Sequence, residues 1–240
     1  MITLQSVSKY YKTLEVLAPF DFRADEGSFT AFVGPSGSGK STLLRLIARL
    51  EPASAGNLDA PEGILVFQED ALFPWLSLEQ NVAFGLEMRG LAKAQAGQKA
   101  RAWLKRVQLN GFETYYPHQV SGGMRQRAAL ARSLILEPEL LLLDEPFGAL
   151  DALTRLQLQD ELLSLWAEHQ PTVLLVTHDV EEAVYLADRV IVFSPRPARV
   201  KAELVIDIAR PRARDDPRLF ALKQKVFRYI GIQELGGSSE

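Results

Sequence analysis

The stretch that decides the fold is GPSGSGKST, which runs from Gly34 to Thr42. It follows SFTAFV, an apolar run typical of a β-strand, and it precedes STLLRLIARL, whose leucines recur at the spacing of one helix face. A glycine-rich turn between a strand and a helix, with the pattern G-x-x-x-x-G-K-[ST], is the fingerprint of a P-loop. The sequence therefore predicts a nucleoside triphosphate site, followed by a helix that extends to Leu50.

Each part of this loop has its own task in binding phosphate. Glycines permit backbone conformations that other residues avoid, so that successive N–H groups converge on phosphate oxygens. Lys40 supplies a positive charge to the β and γ phosphates, the Ser41 hydroxyl is a ligand for Mg²⁺, and the Thr42 N–H points at the anion. The predicted nucleotide-binding residues are Gly34, Pro35, Ser36, Gly37, Ser38, Gly39, Lys40, Ser41 and Thr42.

Polar residues end three other apolar runs. LLLLDE places Asp144 and Glu145 at the end of a buried strand, which is where ligands bind in open α/β sheets. Asp144 suits Mg²⁺, usually through a water, and Glu145 is predicted to orient or deprotonate the attacking water. His178 ends TVLLVTH at the same edge and is predicted to contact the γ-phosphate or that water. Gln68 ends GILVFQ and is predicted to sense Mg²⁺ or water, although a lone glutamine is weak evidence.

The rest of the chain alternates apolar strands with helix-forming stretches, which predicts an α/β fold with a mostly parallel sheet covered on both faces. The stretch from Ser77 to Gln108 is predicted to be mostly helical. A long helix is predicted over Ala152 to His169, which contains neither glycine nor proline, and a terminal helix over DPRLFALKQKVFRYIG. The Arg- and Pro-rich segment from Arg196 to Arg218 is interpreted as a solvated tail, with a regulatory role as the alternative.

Composition limits the classes of function. The 240 residues are 47% hydrophobic and 24% charged, with no cysteine, which excludes disulfides and cysteine-ligated metal. The net charge of −3 and the absence of a basic stripe before the C-terminal segment argue against a nucleic-acid partner. The N-terminus lacks the pattern of a signal peptide, and no apolar run is long enough to span a bilayer. We expect a soluble or membrane-peripheral protein.

A second anion site is predicted in VSGGMRQR. Ser121, Gly122 and Gly123 form a turn that leads directly into a helix, an arrangement that presents backbone N–H groups to an anion. One nucleotide needs only one such cradle, and the P-loop already provides it. The residues alone leave open which anion the second cradle binds.

Six motifs carry a resemblance to a known family. GPSGSGKST, VFQED, VSGGMRQR, LLLLDEP, GALD and THD occur in this order, and together they resemble the nucleotide-binding subunit of an ATP-binding cassette (ABC) transporter. The resemblance implies ATP as the nucleotide, with Mg²⁺. It also implies a homodimer, or a pair of related ATPases, in which the Ser-Gly-Gly turn contacts the γ-phosphate of the partner's ATP. Val120 and Met124 depart from the commonest signature, LSGGQ, but leave Ser-Gly-Gly intact.

The resemblance also implies roles for two further residues and a division of the fold. Tyr11 matches the aromatic residue that stacks on adenine, with Tyr10 as the competing candidate. Asp151 matches an acid that crosses the dimer interface, although an N-cap is an equally good local explanation. The implied ABC ATPase fold is a single domain with an N-terminal antiparallel β portion. Its parts are a core over residues 1–72 and 135–215, a helical subdomain over about 73–134, and a C-terminal helical extension over about 216–235.

The resemblance finally implies a membrane-embedded load. Two transmembrane permease subunits are expected as partners, with an extracytoplasmic solute-binding protein as an indirect one, and the chain is expected at the cytoplasmic face of the inner membrane. Phe73, Pro74 and Trp75 are predicted to lie in a loop, either as core of the helical insert or as part of a groove for a permease helix. FQEDALFPW and SPRPARV look most similar to ATPases of importers for nitrate, taurine and aliphatic sulfonates. An exporter cassette and a non-transport ABC ATPase are the alternatives.

Overall fold

The computed structural model describes residues 1–67 and 71–231. They form two compact units, the first made of Met1–Pro61 together with the chain from Thr172 onward, and the second of Glu62–Pro171. Gln68 lies outside the described residues. The subdomain boundaries implied by the resemblance stay a prediction.

The described residues of the first unit hold strands of two sheets and three helices, labelled here in chain order across both units. Its strands are β1 Ile2–Tyr11, β2 Leu14–Ala24, β3 Phe29–Val33, β4 Ala55–Asp59, β7 Thr172–Thr177, β8 Arg189–Phe193 and β9 Val200–Val205. Its helices are α1 Lys40–Ile47, α6 Val180–Leu186 and α7 Pro217–Ile230. Strand β1 pairs antiparallel with β2 and β4. Strand β3 lies between β7 and β8 and is parallel to both, while β9 is antiparallel to β8. The predicted N-terminal antiparallel portion is confirmed.

A cluster of phenylalanines joins the two sheets of this unit. The ring of Phe20 meets that of Phe193 edge-on at 5.4 Å, and Phe22 meets Phe32 at 5.2 Å. Phe32 and Phe193 stack at 5.6 Å. Such pairs contribute about 0.5–1.5 kcal/mol each beyond the area that they bury. Strand β3 is thereby held rigidly where it leads into the P-loop.

Helix α1 is shorter than predicted. It ends at Ile47, and Leu50 is 56% exposed instead of lying on the buried face. The reason is the backbone of Arg49, which adopts a left-handed conformation with φ of 58° and turns the chain out of the helix. Leu46 is buried on the helix in place of Leu50.

Among its described residues, the second unit combines two strands with four α-helices. Strand β5 Gly63–Val66 is parallel to β6 Leu140–Asp144. The helices are α2 Leu78–Met88, α3 Lys93–Arg106, α4 Gly122–Leu134 and α5 Ala152–His169. Helices α2, α3 and α4 pack on one another, and the first two confirm the helical character predicted for this stretch. Helix α5 has the bounds that were predicted.

The C-terminal segment corrects an expectation. It is not a solvated tail, because it contributes β9 and because Arg212 is only 5% exposed. The Arg212 guanidinium donates hydrogen bonds to the carbonyls of Tyr185 and Ala187 at 2.8 and 2.7 Å. These carbonyls belong to the C-terminal end of α6, whose last turn would otherwise lack partners. The segment therefore fastens α6 in place.

The strand pairings and helices confirm the predicted α/β class with a mostly parallel core. In the part of the chain that the structure describes, every helix is too short or too polar to cross a membrane.

Candidate functional site

The P-loop occupies the turn between β3 and α1, as predicted. It begins directly after Val33 and ends at Lys40, the first residue of α1. Gly39, the N-cap residue, has a left-handed φ of 108°, and a Cβ there would lie 3.0 Å from the Val16 carbonyl oxygen. Only glycine fits this position, and no side chain caps the helix start. The backbone is thus shaped to bring the start of α1 close to a bound anion.

Two cationic side chains hold the backbone of this loop. The Lys40 ammonium is buried and donates to the carbonyls of Gly34 and Pro35 at 2.8 and 2.9 Å. The Arg196 guanidinium donates twice to the Gly37 carbonyl, at 3.1 and 2.9 Å. Arg196 belongs to the Arg- and Pro-rich segment, and nothing in the sequence indicated its contact with the P-loop. The contact can be recognised only after the structure shows that this segment runs beside the turn.

The structure distinguishes the two candidate tyrosines. The Tyr11 hydroxyl donates a hydrogen bond to Glu51, and the Thr42 side chain of the P-loop helix lies near enough to interact with the phenol. Burial raises the pKa of Tyr11, and the hydrogen bond to Glu51 raises it further. The Tyr10 hydroxyl instead donates to Glu15 at 2.9 Å. Tyr11 is therefore the tyrosine that lies beside the P-loop.

His178 lies at the same sheet edge as the P-loop. Val33 and Thr177 are register partners in the parallel pair β3 and β7, so Gly34 and His178 leave neighbouring strands side by side. The His178 side chain is exposed. The next residue, Asp179, is fixed because its carboxylate accepts from the Glu181 N–H at 2.9 Å and caps α6. The register thus places His178 beside the start of the P-loop, and its contact with the γ-phosphate or the attacking water stays a prediction.

Asp144 ends the most apolar strand of the second unit, and Glu145 follows it. Strand β6 is buried along its whole length, and Asp144 is its last residue. Glu145 is half-buried and has a φ of 49°, in the left-handed region that non-glycine residues rarely enter. Such a conformation persists only where the surrounding structure maintains it, and residues of this kind cluster at functional sites.

The Ser-Gly-Gly turn leads into α4 as predicted. Ser121 is the N-cap residue, and its hydroxyl accepts the Met124 N–H at 3.3 Å. A Cβ at Gly123 would lie 3.4 Å from the Leu150 side chain, so the turn lies beside the residues that precede Asp151. The start of α4 and the start of α5 are therefore neighbours.

Asp151 caps α5. Its carboxylate accepts the Thr154 N–H at 3.1 Å, which is the local explanation considered for this residue. The hydrogen bonds from the Thr154 side chain and backbone hold the pKa of Asp151 below its usual value. A role across a dimer interface stays a prediction.

The aromatic loop, defined as residues 71–77, is partly packed against the helices and partly exposed; a role as a groove for a permease helix stays a prediction. Trp75 is 70% exposed, whereas Phe73 is half-buried and packs against Trp75 and Phe84, with ring centroids 5.6 and 4.8 Å away. The Arg132 guanidinium lies 5.7 Å from the centroid of the Phe73 ring, and it donates to the Ala71 carbonyl at 2.8 Å. The loop is thus packed underneath and open on its outer side.

Asn81 shapes this loop, and sequence reasoning missed it. The side chain is fully buried, its oxygen accepts the Phe73 N–H at 2.7 Å, and its amide donates to the carbonyls of Phe73, Leu76 and Ser77. The signal was one polar residue on the otherwise apolar buried face of α2. Such a residue is retained where backbone groups of an irregular loop need partners.

Comparisons with known proteins agree with these motifs. A family model described as ABC transporter matches residues 17–148. The chain is 46% identical over 242 residues to the aliphatic sulfonates import ATP-binding protein of Streptomyces avermitilis, covering 100% of this chain and 94% of that protein. A Bacillus cereus protein described in the same words is 38% identical over 247 residues, with 96% and 97% covered. A solved structure described as the dimeric post-hydrolysis state of an ATP-binding cassette bound to ADP and phosphate has a TM-score of 0.80 at 30% identity, with 87% and 100% covered.

Proposed function

The chain belongs to the ABC transporter family and is an ATPase of that family, and from this premise we propose that it drives the import of small sulfonated or related anions. The observation that carries the proposal is the similarity, over nearly the whole of both chains, to proteins described as aliphatic sulfonate import ATP-binding proteins. The cargo itself is selected by separate permease and solute-binding subunits, so the solute class is carried by this similarity alone.

ATP binds with its phosphates in the turn from Gly34 to Thr42 and its adenine on Tyr11. The shape of the turn supports this assignment, since Gly39 brings the uncapped start of α1 to the phosphates. Lys40 is already at the loop and exchanges its backbone acceptors for the β and γ phosphates. The contact between Tyr11 and the Thr42 side chain supports the adenine assignment.

The chemistry of the donor set fits Mg²⁺. The Ser41 hydroxyl and the Asp144 carboxylate are hard oxygen ligands of the kind that Mg²⁺ prefers, and Gln68 would add an amide oxygen. When bound, the ion neutralises charge on the phosphates. Asp144 is buried at a strand end, which suits a carboxylate that meets a cation.

Glu145 orients the attacking water and takes its proton, while the water oxygen bonds to the γ-phosphorus and the bond to the β–γ bridging oxygen breaks. ADP leaves with the bridging oxygen, and inorganic phosphate is the second product. The strained backbone at Glu145 supports a functional role for this residue. His178, beside Gly34 at the sheet edge, contacts the γ-phosphate or the water.

Ser121, Gly122 and Gly123 contact the γ-phosphate of ATP held by the P-loop of a second copy of the chain. Two chains then enclose two nucleotides, with Asp151 near the shared interface. ATP closes the dimer, and hydrolysis reopens it. The helix start at Ser121 contributes about half a positive charge toward the anion. The pair works at the cytoplasmic face of the inner membrane, where the aromatic loop of each chain receives a helix from one of the two permeases.

The test of the catalytic assignment is Glu145→Gln. We expect ATP turnover to be nearly abolished and an ATP-bound dimer to accumulate, as measured by phosphate release and size-exclusion chromatography. An active variant, or one that stays monomeric with ATP, would contradict the assignment.

A second variant, Ser121→Arg, tests the trans contact. It should leave ATP binding to the monomer intact and block dimerisation, measured by calorimetry and chromatography in the Glu145→Gln background. Loss of monomer binding would argue that the turn acts within its own chain.

The transported solute is tested by measuring uptake of a panel of small anions into vesicles that hold the chain with its permease. Export instead of import would overturn the proposal.

A further inference from the structure

We propose that Glu51 is a positioning residue for the nucleotide base: it fixes the Tyr11 ring in the orientation that receives adenine. The inference rests on the proposed stacking role of Tyr11. Glu51 lies just beyond α1 and carries no part of the P-loop motif. Its role follows from the contacts that converge on its carboxylate.

Three side chains meet the Glu51 carboxylate. The Tyr11 hydroxyl donates to Oε2, and the Lys9 ammonium lies 3.3 Å from the same oxygen. The Arg45 guanidinium, on α1, lies 3.8 Å from Oε1. The Glu51 side chain is only 25% exposed, so these contacts are partly shielded from water. The hydrogen bond from Tyr11 lowers the pKa of Glu51, with Lys9 acting in the same direction, so the acceptor is ionised at neutral pH.

The same contacts restrict the Tyr11 ring. A tyrosine side chain has two rotatable bonds, and anchoring the hydroxyl at the far end limits both. The Lys9 ammonium also lies 4.9 Å from the ring centroid, over one face. Lys9 is itself held, because it donates to the Pro52 carbonyl at 2.8 Å. The ring is therefore held by its hydroxyl and contacted on one face, and Tyr11 remains 41% exposed.

Glu51 also ties the ring to the phosphate cradle. Arg45 belongs to α1, which begins at Lys40, and the Thr42 side chain on the same helix lies near enough to interact with the phenol. A base platform joined to this helix keeps a fixed distance from the phosphate site, which spares the ordering cost of binding. The consequence is specific: loss of Glu51 should weaken ligands that carry a base and spare ligands that are phosphate alone.

Tyr10 and Glu15 provide a matched control. Their side chains also share a hydrogen bond, at 2.9 Å, but they are register partners on neighbouring strands β1 and β2. Tyr10 thus pairs across the strands, whereas Tyr11 is joined to Glu51, forty residues away in sequence. Glu15→Gln removes a tyrosine–carboxylate contact of the same chemistry without touching the Glu51 cluster.

The experiment measures the affinity of the full chain for ATP and for inorganic tripolyphosphate by titration calorimetry. Glu51→Gln should weaken ATP binding about five- to tenfold, a range set by the usual strength of aromatic stacking, and leave tripolyphosphate unchanged. In steady-state assays it should raise KM for ATP with kcat unchanged. Tyr11→Phe removes the hydrogen bond from the other side and should reproduce the effect, and the double variant should be no weaker than either single one. Glu15→Gln should bind both ligands normally.

The outcomes separate the inference from the function on which it rests. If Tyr11→Ala weakens ATP but Glu51→Gln and Tyr11→Phe do not, the positioning role is wrong and the stacking role stands. Equal weakening of ATP and tripolyphosphate by Glu51→Gln would mean that the residue only maintains the P-loop, which also overturns the inference. If Tyr11→Ala leaves ATP affinity unchanged, the stacking assignment itself fails, and the inference fails with it.

Discussion

Replacement of Arg212 with methionine measures how strongly the C-terminal segment holds α6. The guanidinium donates to the carbonyls of Tyr185 and Ala187 at 2.8 and 2.7 Å, and to those of Val184 and Ile208 at 3.1 and 3.0 Å. Burial lowers the pKa of Arg212 to about 10, which leaves the group charged at neutral pH. Methionine has a similar length and donates nothing, so these four carbonyls and that of Ile206, 3.4 Å from the guanidinium, lose a charged partner.

The expected cost follows from these contacts. A hydrogen bond to a charged group contributes about 1.5–3 kcal/mol, but burying a guanidinium offsets much of the sum. We expect a net loss of about 3 kcal/mol in the free energy of unfolding. With an m-value of about 2.5 kcal/mol/M in urea, the midpoint should fall by about 1 M.

The assay is urea unfolding followed by far-ultraviolet circular dichroism. This probe is needed because all three tryptophans, Trp75, Trp103 and Trp166, lie outside the unit that contains Arg212. Arg228→Met, at an exposed position of α7, is the matched control and should unfold close to the unsubstituted protein. Equal midpoints for the two variants would refute the reasoning.

Two further predictions concern the P-loop and the aromatic loop. Lys40→Ala should weaken ATP binding about 10- to 100-fold, because one charged contact to phosphate is lost. Calorimetry measures the affinity, and an unchanged value would contradict the assignment of the P-loop as the phosphate site. Asn81→Leu should destabilise the second unit by about 2–3 kcal/mol, because it leaves the Phe73 N–H and the carbonyls that the amide binds without this hydrogen-bond partner. Urea unfolding followed by tryptophan emission checks it against Gln95→Leu at an exposed site on α3, and the same midpoint in both variants would count against a structural role for Asn81.

Local signals made the frame of the fold predictable. The P-loop could be read from glycine positions and from its place between an apolar run and a helix. Helix α5 was predicted with its observed bounds, because Asp151 caps its start and a stretch free of glycine and proline runs to the left-handed Gln170. Runs such as Leu140 to Leu143 mark strands buried on both faces, since nothing in them alternates.

Contacts between distant parts of the chain were not predictable. Glu51 lies forty residues from Tyr11, and Arg196 lies far from Gly37 in sequence, so neither pairing leaves a local pattern. Asn81 did leave one, a polar residue on an apolar face, but its partners are backbone atoms of a loop whose path is unknown beforehand. The early end of α1 depends on the left-handed backbone of Arg49, and an arginine in the sequence does not predict that conformation.

The left-handed backbone at Glu145 has a consequence for how this position tolerates change. Glycine enters that region freely, whereas other residues give up about 1 kcal/mol or more. Substitution by glycine would therefore relieve the backbone and remove the carboxylate together, and β-branched residues would fit worst. Under the proposed catalytic role of Glu145, stability and turnover pull in opposite directions at this one site. The substitution that best suits this backbone is therefore the one that removes the proposed base.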